Sequence, residues 1–274
     1  MSPFGGTTGG AVSVIKVGGA VVEDPSQLTT LLDNFAAIPG KKILVHGGGR
    51  RATKVAAQLG IESHMVGGRR ITDAEMLSVV TMVYGGLVNK NLVAQLQAKG
   101  VNALGLTGAD MDVIRSHKRP LKKVRMDDGT DEMVDFGYVG DVDRADGKRL
   151  AQLLDSGVIP VVAPLTHDGN GNILNTNADT MASTVAKALA AYYDVTLIFS
   201  FEKKGVLSNP DDDDSVIPVI THESYKQYVE DGTISGGMMP KIENALDAVD
   251  AGVKKVVITL AENINKEDCG TVIN

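Results

Sequence analysis

Short apolar runs alternate along the chain with longer stretches in which apolar residues recur every three or four positions. Val14-Ile15-Lys16-Val17 ends in Gly18-Gly19-Ala20, and Ile43-Leu44-Val45-His46 ends in Gly47-Gly48-Gly49. Apolar runs closed by glycine predict buried parallel strands that open into tight turns. The intervening spacing predicts helices over 28–37, closed by Pro39-Gly40, and over 50–59, stopped by Gly60. A third helix, over 73–99, carries Val79, Val80, Val83, Leu87, Val88, Leu92 and Leu96 at helical spacing. Thr72 and Glu75 form a capping-box pattern at its start, and Gly85-Gly86 interrupts its centre. Burial inside one subunit and a dimer interface both suit that helix. Further strands are expected over 103–106, 158–163, 195–200 and 255–259, the last of the chain. Helices are expected over 148–156, 180–192 and 242–251, and one begins at Thr221. The charged segment 113–140, with turns at Asp128-Gly129 and Phe136-Gly137, reads as hairpins over an edge, a candidate lid. Asp168-Gly169-Asn170-Gly171 is a hairpin turn. Strand and helix alternate as in a parallel sheet covered by helices, with no fixed repeat and no linker.

Composition narrows the classes. At 274 residues, 43% apolar and 22% charged, the chain suits a soluble globular protein with a large core. A net charge of −7 argues against a nucleic-acid partner, and the absence of tryptophan against base-stacking platforms. Cys269 is the single cysteine, which excludes an internal disulfide and a cysteine zinc site. Residues 1–10, rich in glycine and threonine, lack the order of a signal peptide and read as a flexible tail. No apolar run is read as long enough to cross a bilayer, and a cytoplasmic setting is expected.

The candidate chemistry lies at the glycine turns. Both strands end at one edge of the sheet, where bare backbone N–H groups make a cradle for an anion. Lys16, inside an apolar strand, is costly there unless its ammonium meets an anion. Gly67-Gly68-Arg69-Arg70 adds a glycine-arginine loop, and Lys241 follows Ser235-Gly236-Gly237 at a helix start. A solvated helix-end lysine would explain Lys241 equally well. Phosphoryl transfer fits this set: glycine amides, two lysines and Mg²⁺ neutralise the moving group. Arg70 would take a substrate carboxylate as a bidentate pair, Asn175 would add an amide hydrogen bond, and Asp179 would orient the lysines.

Competing patterns fit less well. The run from Asp211 to Asp214 reads as a solvated acidic loop rather than a metal site. The five histidines lack metal spacing. Gly47-x-Gly49-x-x-Ala52 is a loose dinucleotide fingerprint, but no acidic residue closes a following strand. His46-Gly47-Gly48-Gly49 matches an esterase oxyanion motif, yet no serine sits in G-x-S-x-G. There is no G-x-x-x-x-G-K-[ST].

In order and spacing, I-K-V-G-G-A (15–20), V-H-G-G-G (45–49), G-R-R-I-T (68–72), N-T-N-A-D (175–179) and G-G-M-M-P-K (236–241) resemble the amino-acid kinase family. The second to fourth motifs point to its acylglutamate branch. The resemblance implies a three-layer αβα sandwich with a mainly parallel central sheet, a single domain over 1–274. Its N-terminal lobe, about 12–165, would bind an acylglutamate and carry a dimer interface, and its C-terminal lobe, about 166–274, would bind ATP. It implies phosphorylation by Mg-ATP of the γ-carboxylate of N-acetyl-L-glutamate, or another N-acylglutamate such as N-succinylglutamate, giving the acyl phosphate in arginine biosynthesis. A regulatory nucleotide-binding protein, or another carboxylate or carbamate kinase, would use the same fold.

Carried over residue by residue, Lys16 and Lys241 resemble the transition-state stabilisers, and Gly19 and Gly48 the backbone donors beside the phosphoryl group. Asp179 resembles the organiser of the two lysines. Gly48, Gly49, Arg70 and Asn175 would form the substrate site, with Arg70 on the α-carboxylate. Gly18, Gly19, Glu202, Gly205, Leu207, Thr233 and Ser235 would join the lysines around the nucleotide, its Mg²⁺ carried by the phosphates and not by protein ligands. The chain departs from the family at Ser200-Phe201-Glu202-Lys203-Lys204, which bears on the nucleotide site. Relatives inhibited by arginine carry an N-terminal helix that links dimers into hexamers. Few residues precede the first strand here, so a homodimer without arginine feedback is expected.

Overall fold

The first strand, β1 (Ala11–Val17), shows how the layers arise. Val12 and Val14 are buried on one face, and Ile15 and Val17 on the other. A strand covered on both sides reads as an apolar run, because both alternating sets of side chains leave water. The computed structural model describes residues 9–125, 129–266 and 269–274. Most of the glycine-threonine start, and Asp128 of one expected turn, lie outside them.

Seven more strands complete the central sheet: β2 (Lys41–His46), β3 (Ala103–Leu106), β4 (Ile159–Val162), β5 (Asp194–Phe201), β6 (Val219–Ile220), β7 (Lys255–Leu260) and β8 (Thr271–Ile273). Their order is β6-β8-β7-β5-β1-β2-β4-β3. Every neighbouring pair is parallel except β7 and β8. The expected mainly parallel sheet is therefore present and runs through both halves of the chain. β8 was not anticipated; three residues are too short for an alternating pattern to show.

Helices cover both faces. On one side lie α2 (Pro25–Ala37), α3 (Gly49–Gln58), α4 (Ala74–Val80) and α5 (Asn89–Ala98), preceded by the short α1 (Gly19–Glu23). On the other lie α6 (Gly147–Asp155), α7 (Ala178–Leu189) and α9 (Met239–Asp250), with α8 (His222–Glu230) beside them. The caps explain several boundaries. Asp24 accepts from the backbone N–H groups of Ser26 and Gln27 and starts α2 before its apolar period begins. Thr221 and Ser224 form a reciprocal capping box on α8.

The expected cap at Thr72 is corrected. Asp73 is the N-cap of α4, accepting from Met76 N–H at 2.8 Å. Thr72 is instead fully buried, and its hydroxyl accepts from Asn175 Nδ2 at 2.9 Å. The long expected helix is real but not uniform: Thr81–Val88, containing Gly85-Gly86, is π-helical and joins α4 to α5. By length and apolar composition alone, Ala74–Ala98 would pass for a membrane span. Its apolar stripe, from Met76 through Val83 to Leu96, lies in the core under the sheet.

A second sheet, ordered Ile173–Asn175, Leu165–His167, Ile114–Lys118, Gly140–Ala145, stands beside the main one. Two separate hairpins accompany it, Met65–Val66 with Arg69–Arg70 and Lys122–Arg125 with Asp131–Val134.

Candidate functional site

β1, β2 and β5 end side by side, and ligands of open α/β sheets bind beyond such carboxyl ends. A cavity of about 500 Å³ opens there. Lys16, Gly18, Gly19, Gly48, Gly49, Arg70, Asn175, Asp179, Glu202 and Lys241 all line it, although they come from opposite ends of the chain.

Strand periodicity aims Lys16 at its partner. It shares a face of β1 with Val12 and Val14, the face covered by α7. Asp179, in the first turn of α7, meets Lys16 Nζ at 2.9 Å. Asn177 caps that helix through the N–H groups of Asp179 and Thr180, which fixes the position of the carboxylate. Lys241 enters in the first turn of α9, with Nζ 3.9 Å from the centre of the Phe201 ring. Burial pulls its ammonium below the ordinary lysine range; the Asp179 charge opposes this, Lys16 adds to it, and Glu202 opposes it.

The two glycine turns abut. Gly47 N–H donates to the Val17 carbonyl at 3.0 Å, stitching the second turn to β1. A Cβ on Gly47 would stand 3.2 Å from Gly19 N, and one on Gly48 only 2.8 Å from the Tyr84 ring. Close approach, not backbone angle, requires glycine here. The amides of Gly19, Gly48 and Gly49 thus cluster at the cavity floor, with the N-terminus of α3 behind them.

His46 lies beneath the second turn, fully buried. Its Nδ1 is 2.9 Å from the Gly47 carbonyl and its Nε2 is 3.1 Å from Asn89 Nδ2. Asn89 can only donate through that nitrogen, so the network assigns a neutral ring protonated on Nδ1. Burial pushes its pKa down to about 4, against a raising effect from Gly47.

Arg70 is also tied into the wall. Nη2 donates to the Gly49 carbonyl at 3.0 Å and Thr53 Oγ1 at 2.8 Å, and Nη1 donates to Ser63 Oγ at 2.8 Å. It braces the second glycine turn while presenting its charge to the cavity. Asn175 is held by Thr72 and by its own N–H to the Tyr138 carbonyl.

Gly205, Leu207, Thr233 and Ser235 do not line this cavity. Gly205 is packed against Thr271 of the unanticipated β8, where a Cβ would meet Oγ1 at 2.7 Å. Leu207 bridges to Val216, and Ser235 precedes the short turn Gly236–Met238. In the departing segment, Ser200, Phe201 and Glu202 line the cavity. Lys203 and Lys204 instead pair with Asp213 at 2.7 Å and Asp214 at 2.5 Å, so much of the acidic run serves as their counter-charge. Tyr84, Arg119, Thr176 and Asn177 line the cavity without having been singled out. Asn177 sits inside the N-T-N-A-D motif and was legible as a helix cap. Arg119 lay in a charged segment with no periodicity to mark it.

A sequence model described as the amino acid kinase family matches residues 11–260. The chain is 64% identical to an acetylglutamate kinase of Bacteroides thetaiotaomicron over 262 residues, 96% of this chain and 98% of that protein. It is also 64% identical to one of Phocaeicola vulgatus, with the same coverage. The crystal structure of smu.665 from Streptococcus mutans UA159 superposes with a TM-score of 0.72 at 30% identity, covering 96% of this chain and 98% of that one.

Proposed function

This chain belongs to the amino acid kinase family, and from that premise we infer that it phosphorylates N-acetyl-L-glutamate. The γ-phosphoryl group of ATP passes to the γ-carboxylate, giving the acyl phosphate and ADP in arginine biosynthesis. The enzyme is a phosphotransferase with a carboxyl group as acceptor. One observation carries the site assignment: Lys16, Lys241 and Asp179 converge with both glycine turns in one cavity.

In our reading the γ-carboxylate lies against the amides of Gly48 and Gly49, and the ATP phosphates lie between Gly18-Gly19 and the lysines. A carboxylate oxygen attacks the γ-phosphorus in line as the bond to ADP breaks. Charge spread over the transferring oxygens is met by Lys16, Lys241 and the amides of Gly19 and Gly48. These donors are held in place before reaction, so little reorganisation opposes the transfer. Asp179 is a positioning residue: it holds Lys16 and moderates the mutual repulsion of the two ammonium groups. Arg70 places a fixed cation beside the α-carboxylate, and Asn175 completes the substrate wall. The N-terminal half, about 12–165, holds the amino acid, and the remainder the nucleotide. Asp179 is engaged by Lys16 and Glu202 by Arg50, at 3.5 Å. Mg²⁺ therefore fits best as a ligand of the nucleotide's own phosphates. ATP as donor fits a cytoplasmic setting.

We also propose a homodimer. Met82 and Leu87 of the π-helical segment and Leu104 of the edge strand β3 are large apolar side chains left exposed. Light scattering should give twice the 28.8 kDa chain mass; a monomer or a hexamer would overturn this.

The reaction is tested by ADP release with Mg-ATP and N-acetylglutamate, free glutamate, aspartate or carbamate. Release dependent on N-acetylglutamate, lost in Lys16→Ala and Lys241→Ala, is expected. Tight ATP binding without turnover on any acceptor would sink the assignment.

A further inference from the structure

The cavity holds more positive charge than acetylglutamate uses. Besides Lys16, Lys241, Arg70 and Arg50, the last paired with Glu202, its wall contains Arg69 and Arg119, next to Met65, Gly68 and Val139. Arg119 is 9% exposed. Its Nε and Nη2 donate to the Asp141 carboxylate, Nη2 at 2.6 Å, and its guanidinium lies 5.4 Å from the centre of the Phe136 ring. Its Nη1 is buried and has no hydrogen-bond partner among the described residues. Arg69, on the neighbouring hairpin, has no ion-pair partner within 4.0 Å among them.

These two arginines form a charge neighbourhood of their own. Burial and the Arg119 charge both pull Arg69 below the ordinary arginine range, with Asp141 opposing. The charges acting on Lys241 are a different set, Asp179, Lys16 and Glu202. Asp141, shared by two arginines, is the one carboxylate in the first group, and His117 and Lys122 also act on it. The local surplus is therefore positive. An acetyl substituent offers one neutral acceptor, its amide carbonyl, and then a methyl group, so it carries no charge to set against that surplus and the buried Nη1 donor together, an arrangement with a desolvation cost. A carboxylate would answer both, since guanidinium groups bind carboxylates through paired, charge-assisted hydrogen bonds.

We propose that Arg69 and Arg119 form a second anion subsite at the acyl end of the cavity, which accepts a carboxylate carried on the N-acyl group. The site thus takes N-acylglutamates whose acyl chain ends in a carboxylate in preference to acetylglutamate. This rests on the N-acylglutamate kinase reading above. Arg69 and Arg119 set specificity; they stand apart from the groups that meet the transferring phosphoryl.

Steady-state kinetics with three acceptors tests it: N-acetylglutamate, N-succinylglutamate, and the succinyl compound with its terminal carboxylate converted to the amide. The amide keeps length and shape and removes only the charge. The succinyl compound should exceed the amide in kcat/KM by tenfold or more, chiefly through KM, and the advantage should shrink as salt rises. Arg69→Leu should cut that ratio by about tenfold, the scale of one charge-assisted hydrogen bond. Arg119→Lys keeps a cation for Asp141 and should lower the ratio in the same direction. Equal kcat/KM for the acid and its amide would overturn the subsite. So would an Arg69→Leu effect equal on all three acceptors, which would put Arg69 on the α-carboxylate. No turnover of any acylglutamate would instead sink the kinase reading beneath it.

Discussion

Lys16 and Lys241 show what a single charge does in this cavity. Lys16 is ion-paired with Asp179, Lys241 feels the same carboxylate's charge, and both lysines line the cavity before substrate arrives. Removing either should lower kcat by 10²–10³-fold or more, about 3–4 kcal/mol of transition-state stabilisation, with a smaller change in KM. Asp179→Asn should cost less, since the lysines remain and only their placement loosens. In the proposed role Lys241 acts as a cation, and burial holds its pKa below the ordinary lysine range, so the rate should fall on the alkaline side earlier than for a free lysine. Lys241→Arg should keep part of the activity and remove that alkaline limb; an unchanged limb would assign it elsewhere.

His46 makes a second prediction at the same scale, on stability. The folded state holds it neutral, with a pKa of about 4 against 6.5 in the unfolded chain. Below pH 6.5 the unfolded chain takes up the proton first. The stabilisation is therefore complete above pH 6.5 and is lost as the pH falls toward 4, by roughly 3 kcal/mol. Denaturant unfolding across that range should show the loss, and His46→Asn should flatten it.

At the scale of elements, the close approaches decide. Gly48 faces the Tyr84 ring so tightly that Gly48→Ala must displace either the ring or the turn. The amide that should meet the reacting carboxylate would move with it, so kcat should fall by at least tenfold. Gly147 opens α6 where a Cβ would stand 2.0 Å from the Ala188 carbonyl of α7. Gly147→Ala should therefore destabilise by about 1–3 kcal/mol in chemical denaturation, with KM little changed. The π-helical segment between α4 and α5 belongs to this scale too. Gly85-Gly86 marked an interruption in the sequence, but whether it meant a kink, a break or a wider turn depended on what packs around it. The capping box at Thr72 failed for a related reason. Local spacing pointed to Thr72, and the burial of Thr72 against Asn175 left the cap to Asp73.

At the scale of the molecule, one sheet carries both halves of the site. β1 supplies the first glycine turn, β2 the second, and β5 ends in Ser200 and Phe201 and leads into Glu202. Met82 and Leu87 of the long helix and Leu104 of the edge strand β3 are exposed, and in the proposed homodimer Met82→Glu with Leu104→Glu should give monomers by light scattering.

Parallel strands, covering helices and the paired glycine turns were written in the sequence, because a strand buried on both faces must be apolar throughout and a tight turn must admit bare backbone. Of the motif residues, Lys16 stood out by a local position that is costly unless its charge is met, Lys241 suited a solvated helix end equally well, and the order and spacing of the motifs carried the rest. Tertiary structure alone decided which distant residues meet. It placed Asp179 on the α7 side of Lys16, packed Gly205 against a three-residue strand too short to show a period, and brought Arg119 from a patternless charged segment to the wall beside Arg69. Periodicity reports which face of an element is buried; only the folded chain determines what lies across from it.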